Sequence, residues 1–480
     1  MNIIDAILFH GRYDPEAPAI CFPGLDLVSY ARLEKSINNI ARHGQNIGLM
    51  AGHIIALHMP GNPSLQALMI LGLMKLGVIT ATVSSLRMPQ SFKFDAIITD
   101  EGQAFPGLQS IPATAQWLEG NGEAPVLRYV PQGNDVCRII LTSGTTGEPK
   151  GIALTHNMIL GRLIRYYHIF GAQLPTAQRI FCDMTLATSI GFTFFIYALI
   201  KGGTYFARGL NAEVTMRALR LHRVEALVAA PAGLAEIINA YDTYRCTHLF
   251  NAIISTGSAL SRPLLDSIRA HMGSFIVTGY GSTETGQIAT MAAHHIDRAH
   301  GAAGYITPGT QVEIVDESGN PQTPGAEGIV RIRGDYMATR YLGEIPQSGS
   351  HFRDGWFYPG DLGRLQDDGL LILEGRSENV MNLGGEKIKP EFIEGILASA
   401  GITAGIYMTP NALGINELHA LVETSEGFDE TSLRQACLKQ LPERMIPKRF
   451  IDVTRLPRND MGKIDRKALE NLVVGKISAA

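Results

Sequence analysis

Short runs of β-branched and aliphatic residues recur along most of this chain, with stretches of helical pattern between them. His53–His58 (HIIALH), Ala96–Thr99 (AIIT), Arg138–Leu141 (RIIL), Ala226–Ala229 (ALVA), Ala252–Ser255 (AIIS) and Ser274–Thr278 (SFIVT) read as strands. Ser64–Leu76 and Ala212–Leu221 read as intervening helices. Strands spaced by helices imply βαβ units and parallel sheets. The pattern changes after about Gly304. Gln311–Asp316, Gly328–Arg333 and Leu370–Leu373 are separated by the turn dipeptides Ser318-Gly319, Pro324-Gly325 and Asp368-Gly369, the spacing of antiparallel strands and hairpins. After Glu374-Gly375-Arg376 the mixed pattern resumes, and a boundary near Glu378 leaves a small C-terminal domain of about 100 residues. The expected fold is α/β. A large domain, residues 1–377, has parallel-rich sheets with helices and a small β-barrel-like part, and a small α+β domain, residues 378–480, follows.

Composition narrows the function classes. Of 480 residues 45% are hydrophobic and 18% charged, against about 25% charged in an ordinary soluble protein. Such a chain buries a large core and is not disordered. Lys+Arg number 41 and Asp+Glu 45, a net charge of −4, which excludes a general nucleic-acid binder. Cys21, Cys137, Cys182, Cys246 and Cys437 are scattered, with no CxxC, so neither a disulfide framework nor a zinc site is expected. A reducing, cytoplasmic compartment is the simplest reading. The N-terminus carries Asp5 early and no basic start before its apolar residues, unlike a signal peptide. Ala51–Met74 is uncharged but interrupted by Pro60, Gly61, Asn62 and Pro63, and Met184–Ile200 holds only 17 uncharged residues with several threonines. A membrane span takes about 20 mostly apolar residues, so both runs are expected as buried helices. His294, His295 and His300 lack a carboxylate partner pattern and read as solvated loop histidines.

The most informative segment is Leu141-Thr142-Ser143-Gly144-Thr145-Thr146-Gly147-Glu148-Pro149-Lys150-Gly151. Four hydroxyls, two glycines and a lysine fall within nine residues, 142–150. Glycines let the backbone turn its N–H groups outward, and successive N–H groups form an anion-binding concavity. Hydroxyls add donors and Lys150 a point charge, so the loop suits a polyphosphate. A P-loop is the rival. Counted from Gly144, however, Pro149 stands at its second glycine and Gly151 follows the lysine where Ser or Thr belongs. Ile152–Thr155 then reads as a strand, not as the phosphate-binding helix of that motif.

Further motifs follow in order. Gly279-Tyr280-Gly281-Ser282-Thr283-Glu284-Thr285 comes after the Ser274–Thr278 strand, and a glycine on each side of the tyrosine leaves room for a flat ring on its aromatic face. Tyr358-Pro359-Gly360-Asp361-Leu362-Gly363 and Gly375-Arg376-Ser377-Glu378 precede the boundary. Asn382-Leu383-Gly384-Gly385-Glu386-Lys387-Ile388-Lys389-Pro390 and Leu456-Pro457-Arg458-Asn459-Asp460-Met461-Gly462-Lys463 lie beyond it.

Together these resemble the signature segments of the AMP-forming acyl-adenylate superfamily: acyl-CoA synthetases, aryl-acid ligases, peptide-synthetase adenylation domains and firefly luciferase. The resemblance runs from Leu141 to Lys463; no motif precedes Asp135. It implies an ATP- and Mg²⁺-dependent ligase that turns a carboxylic acid into an acyl-AMP and pyrophosphate, then passes the acyl group to a thiol. CoA is the leading acceptor, and the alternative is the phosphopantetheine of a carrier protein. A non-catalytic nucleotide-binding module is the contrasting class.

Residue by residue, the resemblance places the ATP phosphates on Thr142, Ser143, Gly144, Thr145, Thr146, Gly147 and Lys150. It places adenine against Gly279, Tyr280, Gly281 and Ser258, the α-phosphate at Thr283, Mg²⁺ on Glu284 and the ribose hydroxyls on Asp361 and Arg376. Glu378 takes the hinge position, about which the small domain rotates between half-reactions. The glycine segment at 384–385 then faces the thioester-forming site, and Lys463 is the catalytic lysine on a mobile loop. Three positions depart from the family pattern. Pro359 replaces a threonine, Glu378 stands where Asp or Lys is usual, and Thr188 stands where a gating histidine often does. The acid is expected among Thr188, Ser189, Phe192, Gly257, Ala303 and Gly304, small or apolar residues suited to an apolar or aryl acid. No aspartate between Met184 and Ile200 awaits a substrate ammonium.

Overall fold

A computed structural model of the chain describes residues 2–472 except 25, 84–87, 90, 101–104, 106, 144–148, 171–172, 274, 300, 344–350, 380, 384–385, 411–415, 425–426, 442, 460–461, 467 and 470–471; the side chains of 143, 173, 378, 382–383, 386–387, 410, 416 and 444 also lie outside the description. Two large sheets carry most of it. The first has six strands in the order 109–112, 96–99, 54–58, 79–82, 136–143 and 149–155. Its first five strands are parallel, and the last closes an antiparallel hairpin on Val136–Ser143, whose turn is the glycine-threonine loop.

The second sheet has 15 strands. Strands 18–22, 204–206, 179–182, 226–229, 252–256 and 276–282 lie side by side in parallel. From Ile276–Ser282 onward the pairing turns antiparallel through 286–292, 302–306, 370–376, 361–365 and 328–334. The antiparallel strands expected after Gly304 thus continue the hydrogen-bonded path of the parallel half.

The two uncharged runs become helices Pro63–Lys75 and Ser189–Ile200, buried on nearly every side in one core that draws on both sheets. Each is started by its own sequence. The Asn62 side chain accepts from the Leu65 N–H, with Pro63 opening the helix, and the Thr188 hydroxyl accepts from the Gly191 N–H. Among the described residues no helix is long and apolar enough to cross a membrane.

Residues from Met381 onward form a hairpin, 381–383 with 386–388, and a three-stranded sheet of 403–410, 416–423 and 449–453. Helices Pro390–Ser399 and Glu430–Leu438 cover that sheet over a core of its own, including Ile393, Leu397, Ile406, Leu418 and Leu433.

Candidate functional site

The site forms where strand ends of the two sheets meet, and five segments far apart in sequence converge there. Thr142 ends the strand entering the glycine-threonine loop, and Lys150 lies opposite it on the returning strand. The Thr142 hydroxyl donates to the Lys150 carbonyl at 3.3 Å. Gly144, Thr145, Thr146, Gly147 and the Ser143 side chain lie outside the described residues. The Lys150 ammonium sits 4.7 Å from the ring centroid of Tyr341. That tyrosine's hydroxyl donates at 2.8 Å to a carboxylate oxygen of Glu284, and both residues are buried.

The strand expected to end at Thr278 runs on to Ser282 and pairs with 286–292. The physical reason is the glycines. A Cβ on Gly279 would lie 2.7 Å from the Gln287 amide nitrogen, and one on Gly281 would lie 2.1 Å from the Gly286 carbonyl oxygen. Both glycines let two strands close on each other. The open space expected on their side of the strand is filled by Gln287 and the Gly286 backbone. Tyr280 itself is half-buried, and its hydroxyl donates to Asp361. Burial, and then the Asp361 charge, pushes that phenol well above its ordinary range.

Asp361 also holds Arg376, whose guanidinium donates at 3.0 Å to its other oxygen and at 2.6 Å to the Pro359 carbonyl. Register explains the pairing: Asp361 and Arg376 are directly opposed on adjacent antiparallel strands. Tyr280, Asp361 and Arg376 therefore form one hydrogen-bonded group from three strands. Thr283 and Glu284 occupy the turn between strands 276–282 and 286–292. Gly257 and Ser258 follow strand Ala252–Thr256, the neighbour of the tyrosine strand.

Lys463 arrives from the far end of the chain. Its loop rests on the large body at the start of helix Pro231–Thr243, where a Cβ on Gly462 would lie 3.5 and 3.6 Å from Ala232 and Ala230. The residue is exposed, and its backbone N–H donates to the Asn459 side chain at 3.1 Å. Crowding lowers its pKa, while the carboxylates of Asp361 and Glu284 pull it back up and Arg376 lowers it further. Lysine, aspartate, arginine and glutamate are thus electrostatically coupled in one cleft. Arg455 reaches Glu236 at 3.3 Å, and Lys389 reaches Glu327 at 2.5 Å, so both pairs bridge the same two bodies.

The residues present fit ATP with Mg²⁺. Among the described residues no group of three His, Cys, Asp or Glu could cage an ion. Glu284 offers one carboxylate, and Mg²⁺ usually takes one or two carboxylates and completes its shell with phosphate oxygens and water.

The residues expected around the acid do different work. Thr188 caps its helix: its hydroxyl donates to the Thr185 carbonyl at 2.9 Å and accepts from the Gly191 N–H at 3.0 Å. Its one donor and one of its lone pairs are thus engaged with the backbone. Ser189 and Phe192 are buried on that helix, while on strand 302–306 Ala303 is half-buried and Gly304 buried. Phe192 and Ala303 pack into the same core as Tyr280. The His294 and His295 rings lie 4.0 Å apart, tilted by 45°, and His300 lies outside the described residues. Of the hinge residue Glu378 only the backbone is described, within a short 3₁₀ turn.

Sequence reasoning missed three residues. Tyr341 lies in no recognised segment. Arg138 is fully buried beside Phe192, 5.4 Å from its ring centroid, and donates to Thr80, Thr82 and the Leu186 carbonyl. Arg162 is buried on helix His156–Ile169 beneath the Thr283-Glu284 turn. A signal for Arg162 existed. With Arg165 it shares a face with Ile159, Leu163 and Tyr166, while Ile164 and Tyr167 face solvent.

The AMP-binding enzyme family matches residues 10–342. The chain is 26% identical to a 2-succinylbenzoate–CoA ligase of Geobacillus sp. (strain WCH70), over 96% of this chain and 95% of that one. It is 26% identical to a 4-chlorobenzoate–CoA ligase of Arthrobacter sp., over 92% of this chain and 89% of that one. The solved o-succinylbenzoate CoA synthetase of Bacillus subtilis, in complex with its acyl-adenylate intermediate, superposes with a TM-score of 0.83 at 22% identity, covering 97% of each chain.

Proposed function

Since the chain belongs to the AMP-binding enzyme family, we propose that it activates a carboxylic acid with ATP, releases pyrophosphate, and transfers the acyl group from the resulting acyl-AMP to the thiol of CoA. The observation that carries this reading is the position of Lys463. It comes from a separately cored part of the chain, its loop lies beside Ala230 and Ala232 of the large body, and the charges that act on its amine are those of Asp361, Arg376 and Glu284.

A carboxylate attacking ATP meets roughly four negative charges, so the first step is a problem of charge and alignment. Tyr280, Asp361 and Arg376 hold the nucleoside, Asp361 accepting from the ribose hydroxyls. Lys150 and the glycine-threonine loop hold the outer phosphates. Thr283 contacts the α-phosphate. Glu284 would hold Mg²⁺, which would supply positive charge against the phosphates. Lys463 donates to both the incoming carboxylate and the α-phosphate, cancelling charge as it spreads in the transition state. The C–O–P bond forms as the α–β bridge breaks, and pyrophosphate leaves.

In the second step a thiol attacks the acyl carbon, AMP departs, and the thiol proton goes to solvent. For this the part from about Glu378 onward rotates, withdrawing Lys463. Its present docking places Gly462 beside Ala230 and Ala232 and includes the exposed Arg455–Glu236 pair, which suits a reversible contact. The related ligases are named for aromatic acids, so an aromatic acid is the proposed substrate class.

The test is a pyrophosphate-release screen over aryl, fatty, short-chain and amino acids, with CoA, with a holo carrier protein, and with neither. Aryl acids turning over with CoA support the reading. Turnover with the carrier protein alone would reassign the acceptor, and release with no acid at all would remove the ligase reading.

A further inference from the structure

Arg162 donates to three backbone carbonyls: Tyr336 at 3.0 Å through Nε, Thr283 at 3.2 Å and Glu284 at 3.1 Å through its two terminal nitrogens. Only 2% of the residue is exposed, and burial pulls its pKa down to about 10, so it remains charged at neutral pH. A buried guanidinium that meets carbonyls and no ion-paired carboxylate among the described residues is costly to keep. Here all three of its partners lie in or against the turn that presents Thr283 and Glu284.

The surroundings are shaped to this side chain. Gly286, the residue that lets the chain turn back from Glu284, has φ +70°, and a Cβ there would lie 3.0 Å from the Arg162 Cδ. Tyr336 is held at φ 62°, a left-handed conformation costly for a tyrosine, with its carbonyl on Arg162 and its ring over Gly161. The segment beyond Tyr336 then returns to the same turn. The Ala338 N–H donates to the Glu284 carbonyl at 2.8 Å, and Tyr341 holds the Glu284 carboxylate. The helix bearing Arg162 directly follows the strand bearing Lys150.

We infer that Arg162 is a positioning residue for the magnesium–triphosphate half of the nucleotide site: it fixes the Thr283-Glu284 turn and the Tyr336–Tyr341 segment against the helix that follows Lys150. This rests on the ATP-binding reading above. It assigns no contact between Arg162 and nucleotide. The adenosine half, built from Tyr280, Asp361 and Arg376, receives none of its bonds.

That separation supplies the test. Arg162→Met and Arg162→Lys are made in the full chain, thermal unfolding is recorded, and dissociation constants for adenosine and for ATP with Mg²⁺ are measured. Hydrogen bonds to a charged donor are worth about 1.5–3 kcal/mol, so Arg162→Met is expected to weaken Mg²⁺–ATP by about tenfold or more and adenosine by less than about threefold. Arg162→Lys, which restores charge without the fork, is expected between wild type and methionine. Should the methionine variant not fold, the lysine variant carries the test, with Mg²⁺–ATP weakened and adenosine retained. Equal loss for both ligands, or wild-type Mg²⁺–ATP binding in a folded variant, would overturn the assignment. A wild-type protein that bound neither ligand would instead sink the ATP reading itself.

Discussion

The Tyr341 hydroxyl donates a 2.8 Å hydrogen bond to the Glu284 carboxylate. The same tyrosine carries the Lys150 ammonium on its ring face, 4.7 Å from the centroid. One side chain therefore braces the proposed magnesium ligand and the proposed phosphate lysine together. Removing only the hydroxyl separates the two functions. Tyr341→Phe keeps the ring and its cation contact, and it loses a bond to a charged acceptor worth about 1.5–3 kcal/mol. The expected result is a loss of roughly tenfold in Mg²⁺–ATP affinity by calorimetry, with acid KM nearly unchanged. An unaltered nucleotide affinity would show that Glu284 needs no brace.

Tyr341 also shows where the sequence stops speaking. The strands and helices of the large body were legible because their apolar runs and caps are local; Ala96–Thr99, Ala226–Ala229 and Ala212–Leu221 form as the sequence implies. The motif residues were legible because their order along the chain is preserved. The brackets that hold those motifs in place were not. Tyr341 and Arg162 act through hydrogen-bond partners 57 to 174 positions away, and Arg138 through partners 48 to 58 away; only Arg162 left a local trace, on the apolar face of its helix. Thr188 illustrates the converse. Its alignment with a gating histidine concealed a simpler local signal, a hydroxyl just before an apolar helix, which is the mark of a cap.

The electrostatics of Lys463 set a pH dependence. Crowding lowers its pKa below the ordinary 10.5, and the carboxylates only partly offset this. The protonated amine is the active form in adenylation, so activity is present below the folded pKa and lost as pH rises through it. The alkaline limb of acid-dependent ATP–pyrophosphate exchange is therefore expected below that of a free lysine. Lys463→Ala is expected to abolish exchange while leaving thioester formation from supplied acyl-adenylate largely intact. Undiminished exchange in the alanine variant would refute the assigned role.

The Asp183–Arg208 ion pair offers a stability test. The Asp183 carboxylate is largely buried and accepts from Arg208 at 2.7 and 3.1 Å; burial raises its pKa, with Arg208 opposing the rise. Arg208→Ala leaves a buried charge unpaired, and because Arg208 is itself about half exposed the expected cost at pH 7 is about 1–3 kcal/mol. The sign with pH is fixed. A carboxyl whose folded pKa is raised favours the protonated folded state, so the deficit is full above that pKa and shrinks as pH falls through it. Urea unfolding of both proteins between pH 4 and 8, a range of about four units, reads this directly. A deficit that grows toward acid would contradict the account.

The contact of Gly462 with Ala230 and Ala232 makes the two half-reactions separable from the large-body side. A bulky side chain at Ala232 fills the seat of the lysine loop without touching Lys463 or the nucleotide group of Tyr280, Asp361 and Arg376. Ala232→Trp should therefore hold the loop away when adenylation requires it. The thiol step, in which the loop is withdrawn, has no need of that seat. A displacement of about 1 Å in a reacting group can cost roughly a hundredfold, so exchange activity is expected to fall by at least about tenfold, and thioester formation from supplied acyl-adenylate by less than about threefold. Stopped-flow measurement of each half-reaction, with adenosine affinity as the check on folding, distinguishes this from general damage. Equal losses in both half-reactions would mean that the Ala230–Ala232 surface supports the whole cleft rather than one docked state.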